Sequence, residues 1–313
     1  MVNDLFLPLV SKQGVVVVKL ANLLLTYQPG DRIQPIQRYA AEFGTGIGTV
    51  QAALSYLEEI GAVELESRGH LGTFIQDIKY PLIWSLTGQN QIVGGMPLPY
   101  SRRYEGLATG LHDVFESAGV ALNLVYTRGS LNRLRALAQG KLDFVVLSRF
   151  AFNNAAQYGL ALEEVLGLGS ESYVGQHIIL FYDPNKSEIE DGMRVGIDPS
   201  SIDQVLLTKE VCREKNVEFV KIHYMNLMAA MQRGQIDATV WNRDDFYTSS
   251  HPFKAVSLSL RGQLAHMQAN TEAVIAVQKG NRVILQTLSS IIDPNRVLDI
   301  QRQVMEGILV PSY

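Results

Sequence analysis

Arginine, serine and glycine residues follow several apolar, strand-like runs of this sequence, where they are well suited to holding an anion. These polar segments are Arg128–Ser130, Ser148 with Arg149, and Asp198–Ser200. Each precedes a predicted helix, whose free backbone amides and positive dipole end favour negative charge. Arginine also binds a carboxylate or a phosphate through two parallel hydrogen bonds. We therefore expect a ligand that bears one of these groups.

The segment Gly95–Leu111, with the sequence GMPLPYSRRYEGLATGL, joins an apolar run to a helical pattern. Its prolines restrict the loop and so lower the entropy that it loses when a ligand binds. We predict that the loop is a wall of the binding site, with one of its two adjacent arginines at the mouth. The predicted ligand-binding residues are Pro99, Tyr100, Ser101, Arg102, Arg128, Gly129, Ser130, Ser148, Arg149, Asp198, Ser200, Tyr224 and Trp241.

Several of these residues have a structural alternative that the sequence leaves open. Arg128 and Arg149 are equally suited to salt bridges. Tyr100 and Trp241 are suited to packing in the core, with the tyrosine hydroxyl hydrogen-bonded. Asp143, in contrast, precedes a strand, so we expect it to cap the strand entry at the end away from the ligand.

Patterns for catalysis and for metal binding are missing from the sequence. It has no G-x-S-x-G, H-E-x-x-H, C-x-x-C or Walker A motif, and its six histidines lack ligand spacing. Its single cysteine, Cys212, lies in a helical stretch and is expected to be a small buried residue. We expect no cofactor, no metal and no enzymatic activity. An enzyme built on the same fold is the alternative, because a fold does not determine function.

Strands and helices alternate in the part of the chain after residue 80. LNLVYT, SLNRLRALAQ and LDFVVLS are followed later by VEFVKIHY, NLMAAMQR and IDATVWN. The two copies are 94 residues apart, so that Gly140 corresponds to Gly234 and Asp143 to Asp237. The pattern predicts two βαβ units with parallel sheets in an α/β fold. Chance similarity between two short segments is the alternative.

The first eighty residues predict helix, turn, helix, tight turn, helix and hairpin. Pro35 suits a first helical turn, while Gly44 and Gly61 suit helix ends. A helix that follows a tight turn after a short helix has the form of a recognition helix, and the hairpin behind it forms a wing. The predicted DNA-binding residues are Arg38, Thr49, Gln51, Arg68 and His70.

Composition sets limits on these functions. The chain has 313 residues, a net charge of −4 and a single cysteine, as expected of a soluble protein in the reducing cytoplasm. The apolar run near the N-terminus is interrupted by Lys19 and falls short of the ~18 apolar residues that a membrane span needs. Residues 1–80 carry more acidic than basic residues, which argues against strong, indiscriminate DNA binding. A winged helix used only for protein contacts is the alternative.

Three resemblances unite these observations. The order PGDRI, AAEFG, YLEEIGAVE and RGHLGTF resembles the winged helix-turn-helix of the GntR family, although Gly46 and Ile47 replace its usual serine and arginine. The two small α/β lobes with the late strand EAVIAVQKG resemble the type 2 periplasmic-binding-protein fold. Nearly the whole chain, including the segment Gly95–Leu111 and the ending QRQVMEGILVPSY, resembles the YhfZ-like transcriptional regulators.

These resemblances imply two domains and a function. Residues 1–80 would form the DNA-binding domain, and residues 81–313 a ligand-sensing domain. Within it, lobe one would span about 81–177 plus 257–313 and lobe two about 178–256. The expected protein is a cytoplasmic regulator that binds operator DNA as a homodimer and a small anionic effector between its lobes. A transport receptor is a further alternative, which the winged helix opposes.

Overall fold

A computed structural model of the chain describes residues 11–246, 252–258 and 271–313. Parts of both expected domains, residues 1–10, 247–251 and 259–270, lie outside the described residues. The helices are α1 Lys12–Leu24, α2 Ile36–Phe43, α3 Ile47–Glu59, α4 Tyr80–Leu86, α5 Arg102–Ser117, α6 Ser130–Ala138, α7 Arg149–Asn154, α8 Ile202–Val211, α9 Tyr224–Gln232, α10 Arg243–Phe246, α11 Arg282–Ile291 and α12 Pro294–Met305. The strands are β1 Val63–Ser67, β2 Thr73–Ile78, β3 Ile92–Met96, β4 Leu122–Tyr126, β5 Phe144–Ser148, β6 Leu162–Gly167, β7 His177–Phe181, β8 Arg194–Ile197, β9 Glu218–Lys221, β10 Ala238–Asn242, β11 Lys254–Ser257 and β12 Ala273–Gln278.

The chain divides into two compact units. The described parts of residues 1–92, together with 114–122 and 281–293, form the first unit. The second unit consists of residues 93–113, the described parts of 123–280, and 294–313. No described helix has the combination of length and apolar character that a membrane crossing requires.

The first unit contains the three predicted helices and the hairpin. Gly44, in a left-handed conformation, ends α2 and allows the tight turn into α3. The strands β1 and β2 pair antiparallel, and the amide of Ile33 adds a bond to the carbonyl of Thr73 at their edge. The helix α1 begins at Lys12, seven residues before the predicted start at Lys19, because the Ser11 side chain caps it by accepting from the Gly14 amide.

The second unit contains two five-stranded sheets. The first has the order β4-β3-β5-β12-β6, and the second has the order β11-β7-β10-β8-β9. We refer to the first sheet with α5, α6, α7 and α12 as lobe one, and to the second sheet with α8, α9 and α10 as lobe two. The pairs β3 with β5, β8 with β10 and β8 with β9 are parallel.

The sheets are mixed rather than purely parallel as the βαβ pattern predicted. The late strand β12 runs antiparallel between β5 and β6, and β7 runs antiparallel between β10 and β11. These added strands lie outside the repeated βαβ segments, so that a prediction based on the repeat alone does not include their direction.

The repeat itself is present in the backbone bonding of both lobes. Asp143 accepts from the Val93 amide at 2.8 Å and donates its own amide to the Val93 carbonyl. Asp237 makes the same pair of bonds with Arg194 in the second sheet. Each aspartate therefore ties the start of one parallel strand to the start of its neighbour, as expected for a residue that caps a strand entry.

Candidate functional site

A cavity of about 90 Å³ lies inside the second unit, among the residues that follow the strands of the two lobes. The cavity is several times larger than the space of about 10–15 Å³ that one buried water needs, so it is large enough for a small molecule. Six of the thirteen predicted ligand-binding residues line it, namely Tyr100, Arg128, Gly129, Ser130, Asp198 and Tyr224. This location matches the rule that ligands of α/β sheets bind beyond the carboxyl ends of the strands.

The starts of α6 and α8 bring the two lobes into direct contact beside this cavity. The Leu131 amide donates to the Ser200 carbonyl at 3.0 Å, and the Ile202 amide donates to the Ser130 hydroxyl at 2.9 Å. Gly129 permits this approach, since a Cβ at this position would lie 2.5 Å from the Ser200 carbonyl oxygen. The lobes are therefore closed on each other in this structure.

Aromatic rings form a continuous row across the cavity. Trp241 stacks on Tyr224 with a centroid distance of 4.2 Å and an interplanar angle of 7°. Tyr224 and Tyr100, which come from different lobes, are 5.9 Å apart. The row continues through Tyr104 to Tyr173, with centroid distances of 6.3 and 5.2 Å. Trp241 thus packs behind Tyr224 and does not line the cavity, whereas the tyrosines form the surface that a ligand would contact.

The wall also contains a buried arginine that the sequence analysis did not select. Arg133, on α6, is only 2% exposed. Its Nη1 donates to the Thr127 carbonyl at 2.8 Å and its Nη2 donates to the Tyr173 hydroxyl at 3.0 Å. Its Nε has no hydrogen-bond partner in the described part of the chain. A buried donor without an acceptor is costly, so the guanidinium of Arg133 is a group for which a ligand acceptor would be favourable.

Two carboxyl groups of lobe two and one histidine complete the polar wall. Asp198 accepts from the Ser200 amide, the Ser200 hydroxyl and the Tyr224 amide, and it thereby fixes the start of α9. Burial raises the pKa of Asp203, which accepts from the Ser148 hydroxyl at 2.5 Å. Burial lowers the pKa of His177 to about 4, so its ring is neutral at pH 7.

The other predicted ligand-binding residues lie outside the cavity lining. The buried Ser101 accepts from the Tyr104 amide at the start of α5. Arg102 lies on the exposed side of the same helix start, near Glu105. Arg149 binds Glu272 and Glu164 of its own lobe. Pro99, Ser148, Ser200 and Trp241 are also behind or beside the wall, and a direct ligand contact of these residues stays a prediction.

A signal for Arg133 was present in the sequence. In the α6 helical pattern, Ser130, Arg133, Leu134 and Leu137 share one face, and all four are buried. A charged residue on an otherwise apolar face indicates a buried polar site. Arg133 is not among the residues directly after a strand, because it lies almost one full turn inside the helix.

The second candidate surface is the helix-turn-helix region of the first unit. Gln51, on α3, is exposed and lines a groove of about 340 Å³ between this helix and the hairpin. Arg32 lines the same groove, where a Cβ on Gly72 would lie 2.5 Å from the arginine Nε. Arg38 is exposed on α2, whereas Thr49 is half-buried. The groove thus places the basic side chain of Arg32 near Gln51, which was predicted to contact a DNA base.

The hairpin presents the two remaining predicted DNA-binding residues. Arg68 lies 2.6 Å from Glu66 and its guanidinium stacks over the Phe74 ring at 4.7 Å. His70 is exposed in the turn Gly69–Leu71 at the tip. Contact of Arg68 with a phosphate would therefore compete with its bond to Glu66.

Residues 79–313 match the family described as the YhfZ C-terminal domain, and residues 28–75 match a helix-turn-helix domain. The protein YhfZ of Escherichia coli K12 is 33% identical over 308 residues, which cover 97% of this chain and 98% of that protein. The crystal structure of YhfZ from Shigella flexneri covers 75% of this chain and 98% of its own, with 30% identity and a TM-score of 0.60. An ancestral arginine-binding protein bound to arginine covers 70% of this chain and 96% of its own, with 16% identity and a TM-score of 0.49. A similarity at that distance says nothing about the ligand.

The chain thus combines an N-terminal helix-turn-helix domain with an α/β domain that contains two mixed five-stranded sheets. The GntR subtype of the first domain and the dimer stay predictions. The match over residues 79–313 and the similarity to YhfZ along almost the whole chain lead to one conclusion. The chain is a member of the YhfZ family.

Proposed function

We propose that this protein is a transcriptional regulator that binds operator DNA and changes its affinity when a small anionic effector occupies the cavity between the lobes. The observation that carries the proposal is the cavity itself. It contains a buried arginine with an unused donor, in a chain that also has a helix-turn-helix domain. Residues 1–80 would bind DNA, and residues 81–313 would bind the effector.

The closed contact between the lobes supports a binding mechanism by closure. The bonds at the starts of α6 and α8 form only when the lobes approach, and the cavity residues come from both lobes. An effector that binds the closed state better would shift the population towards closure. Couplings of this kind typically amount to about 1–3 kcal/mol, or roughly 5- to 150-fold in DNA affinity.

A packed series of helices inside the first unit offers a route for the coupling. The helix α3 packs on α1, α1 packs on α4, and α4 packs on α11. Three residues connect α11 to β12, a strand of the first sheet. A change in that sheet would be passed to the recognition helix through these packed helices. In a cytoplasmic homodimer, the same change would alter the spacing of two recognition helices relative to two half-sites.

The polar groups of the cavity favour sensing over catalysis. The Asp203 carboxyl accepts from the Ser148 hydroxyl, which lies behind the wall and also caps α7 by accepting from the Ala151 amide. The Asp198 carboxylate is engaged by three donors of its own lobe. These groups are held in structural bonds, which suits a site that binds its ligand and releases it unchanged. Recovery of the bound molecule intact after long incubation would agree with this role, and its conversion would contradict it.

The DNA-binding part is tested by fluorescence anisotropy with labelled fragments from upstream of the gene that encodes the protein. We expect one fragment to bind more tightly than a shuffled sequence of equal length. Gln51→Ala should reduce this preference, because Gln51 is exposed on α3 in the groove. Arg38→Ala should weaken binding to both sequences alike, as expected for a phosphate contact.

A matched control is Gln139→Ala, which changes an exposed glutamine in the second unit. It should leave both affinities unchanged.

The effector part is tested by unfolding and refolding the protein to remove small molecules, and by comparing its DNA affinity with that of the untreated protein. Equal weak binding to both DNA sequences, unaffected by Gln51→Ala and Arg38→Ala, would refute DNA recognition.

A further inference from the structure

The buried charge of Arg133 defines the ligand more closely than the proposed function does. Its guanidinium is almost fully enclosed, and the described residues place no carboxylate oxygen within 4.0 Å of its nitrogens. Arg103 and Arg149, two other arginines of the second unit with low exposure, both have such a partner, in Asp244 and Glu272. Arg133 therefore makes no direct ion pair, although a buried cation normally requires one, and Asp203 on the same cavity wall interacts with its charge only from beyond that distance.

The neutral groups around Arg133 hold it in place without compensating its charge. The Thr127 carbonyl and the Tyr173 hydroxyl accept one bond each from its two terminal nitrogens. Tyr173 is itself fixed by its ring contact with Tyr104 and by the hydrogen bond that its backbone amide donates to the Thr271 carbonyl. The guanidinium is thus pre-oriented in the cavity wall, and its Nε has no partner among the described residues.

The remainder of the wall limits the charge and the size of the ligand. Asp198 and Asp203 line the same cavity and oppose negative charge on a ligand, so that only a charge held against the Arg133 guanidinium is offset. Arg128 also lines it, but this residue is exposed, so water screens its charge. The tyrosine rings offer apolar faces to the rest of the ligand, and the volume allows only a small molecule.

We propose that the cavity binds a small organic monocarboxylate, whose carboxylate accepts from the guanidinium of Arg133 and whose uncharged body packs against the tyrosine rings. This inference rests on the proposed function in assuming that the cavity is the effector site. Beyond the proposed function, the inference names the residue that binds the anion and selects a singly charged carboxylate over a phosphate.

The test uses the full-length protein with matched probes. Propionate and benzoate carry one carboxylate, while propionamide and benzamide have the same shapes without the charge. Phenylphosphonate, at mildly alkaline pH, has the ring of benzoate and two charges. The chain has two tryptophans, so a Trp84→Phe protein reports on Trp241 alone, which stacks on the cavity residue Tyr224. Trp84→Phe removes an indole nitrogen that has no partner among the described residues.

We expect at least one carboxylate to bind at millimolar concentration and to change the Trp241 emission. Its amide should bind about tenfold more weakly or worse, because a hydrogen bond to a charged group is lost. The phosphonate should bind more weakly than benzoate. Arg133→Met should reduce the carboxylate affinity by about tenfold or more. Arg135→Met, which changes an exposed arginine on the same helix, should leave it unchanged.

Several results would overturn the proposal. These are the absence of carboxylate binding, equal affinity for the amides, tighter binding of the phosphonate, or full affinity in Arg133→Met. If Arg133→Met does not fold, as judged by circular dichroism, the comparison of acid with amide on the protein with native Arg133 still decides the matter. If carboxylate binding fails but removing small molecules still changes the DNA affinity, the proposed function as a regulator stands and its ligand is a different molecule. Carboxylate binding without specific DNA binding refutes the regulator alone.

Discussion

Gly129→Ala should prevent the two lobes from closing. The glycine has φ +74° and ψ 133°, a backbone region that an L-residue occupies at a cost of about 1–3 kcal/mol. The new Cβ would also lie 2.5 Å from the Ser200 carbonyl oxygen and 2.7 Å from the Ser200 Cβ. Since the oxygen belongs to the backbone, the lobes must separate to relieve the contact.

The separation would break the two bonds between the starts of α6 and α8. They join the Leu131 amide to Ser200 and the Ile202 amide to Ser130. Each contributes about 0.5–1.5 kcal/mol, so the closed state would lose roughly 1–3 kcal/mol relative to the open state. Even the lower value would reduce the ratio of closed to open molecules by about fivefold.

Small-angle X-ray scattering of the full-length protein measures the expected opening as a larger radius of gyration, and calorimetry measures the stability. The matched control is Gly140→Ala, in the same lobe. Gly140 has φ +67° and nothing lies within 4 Å of its would-be Cβ. The control shares the cost of a positive φ, but it has no contact with lobe two. If both variants give the same scattering curve as the unchanged protein, the closure argument is refuted.

Three further predictions concern other parts of the molecule. Glu66→Gln should raise DNA affinity several-fold at low salt, because it frees Arg68 for a phosphate. The slope of log affinity against log salt concentration should become steeper by about 0.9. An unchanged slope in anisotropy titrations at several salt concentrations would contradict this. The unfolding free energy should fall as the pH decreases from about 6.5 to 4, by at most about 1.4 kcal/mol per pH unit, because the unfolded chain protonates His177 more readily than the folded protein does. Urea unfolding of His177→Phe at several pH values should show a smaller slope in this window. Gly106→Ala should lower the unfolding free energy by about 1–3 kcal/mol, since its Cβ would lie 2.8 Å from the Gln301 carbonyl oxygen. A variant that unfolds at the same or a higher urea concentration would contradict this prediction and would show that the helices α5 and α12 can move apart freely.

The sequence by itself determined the parts of the protein that depend on local rules. The turn after α2 needs a left-handed residue, and Gly44 supplies it, so the order of the helix-turn-helix could be read directly. The correspondence between Asp143 and Asp237 revealed two related lobes, because both aspartates make the same bonds to the neighbouring strand. Both features arise from short segments whose conformation follows from their own residues or from one adjacent strand.

The tertiary structure decided which arginine is available to a ligand. Arg149 follows a strand, as an anion-binding residue should, but Glu164 and Glu272 reach it from 15 and 123 residues away. Arg133 is one helical turn from the predicted position, and its burial depends on Tyr173, 40 residues away. Sequence spacing shows which side chains lie near a strand end. Whether their charge is already neutralised depends on carboxylates and rings that only the folded chain brings together.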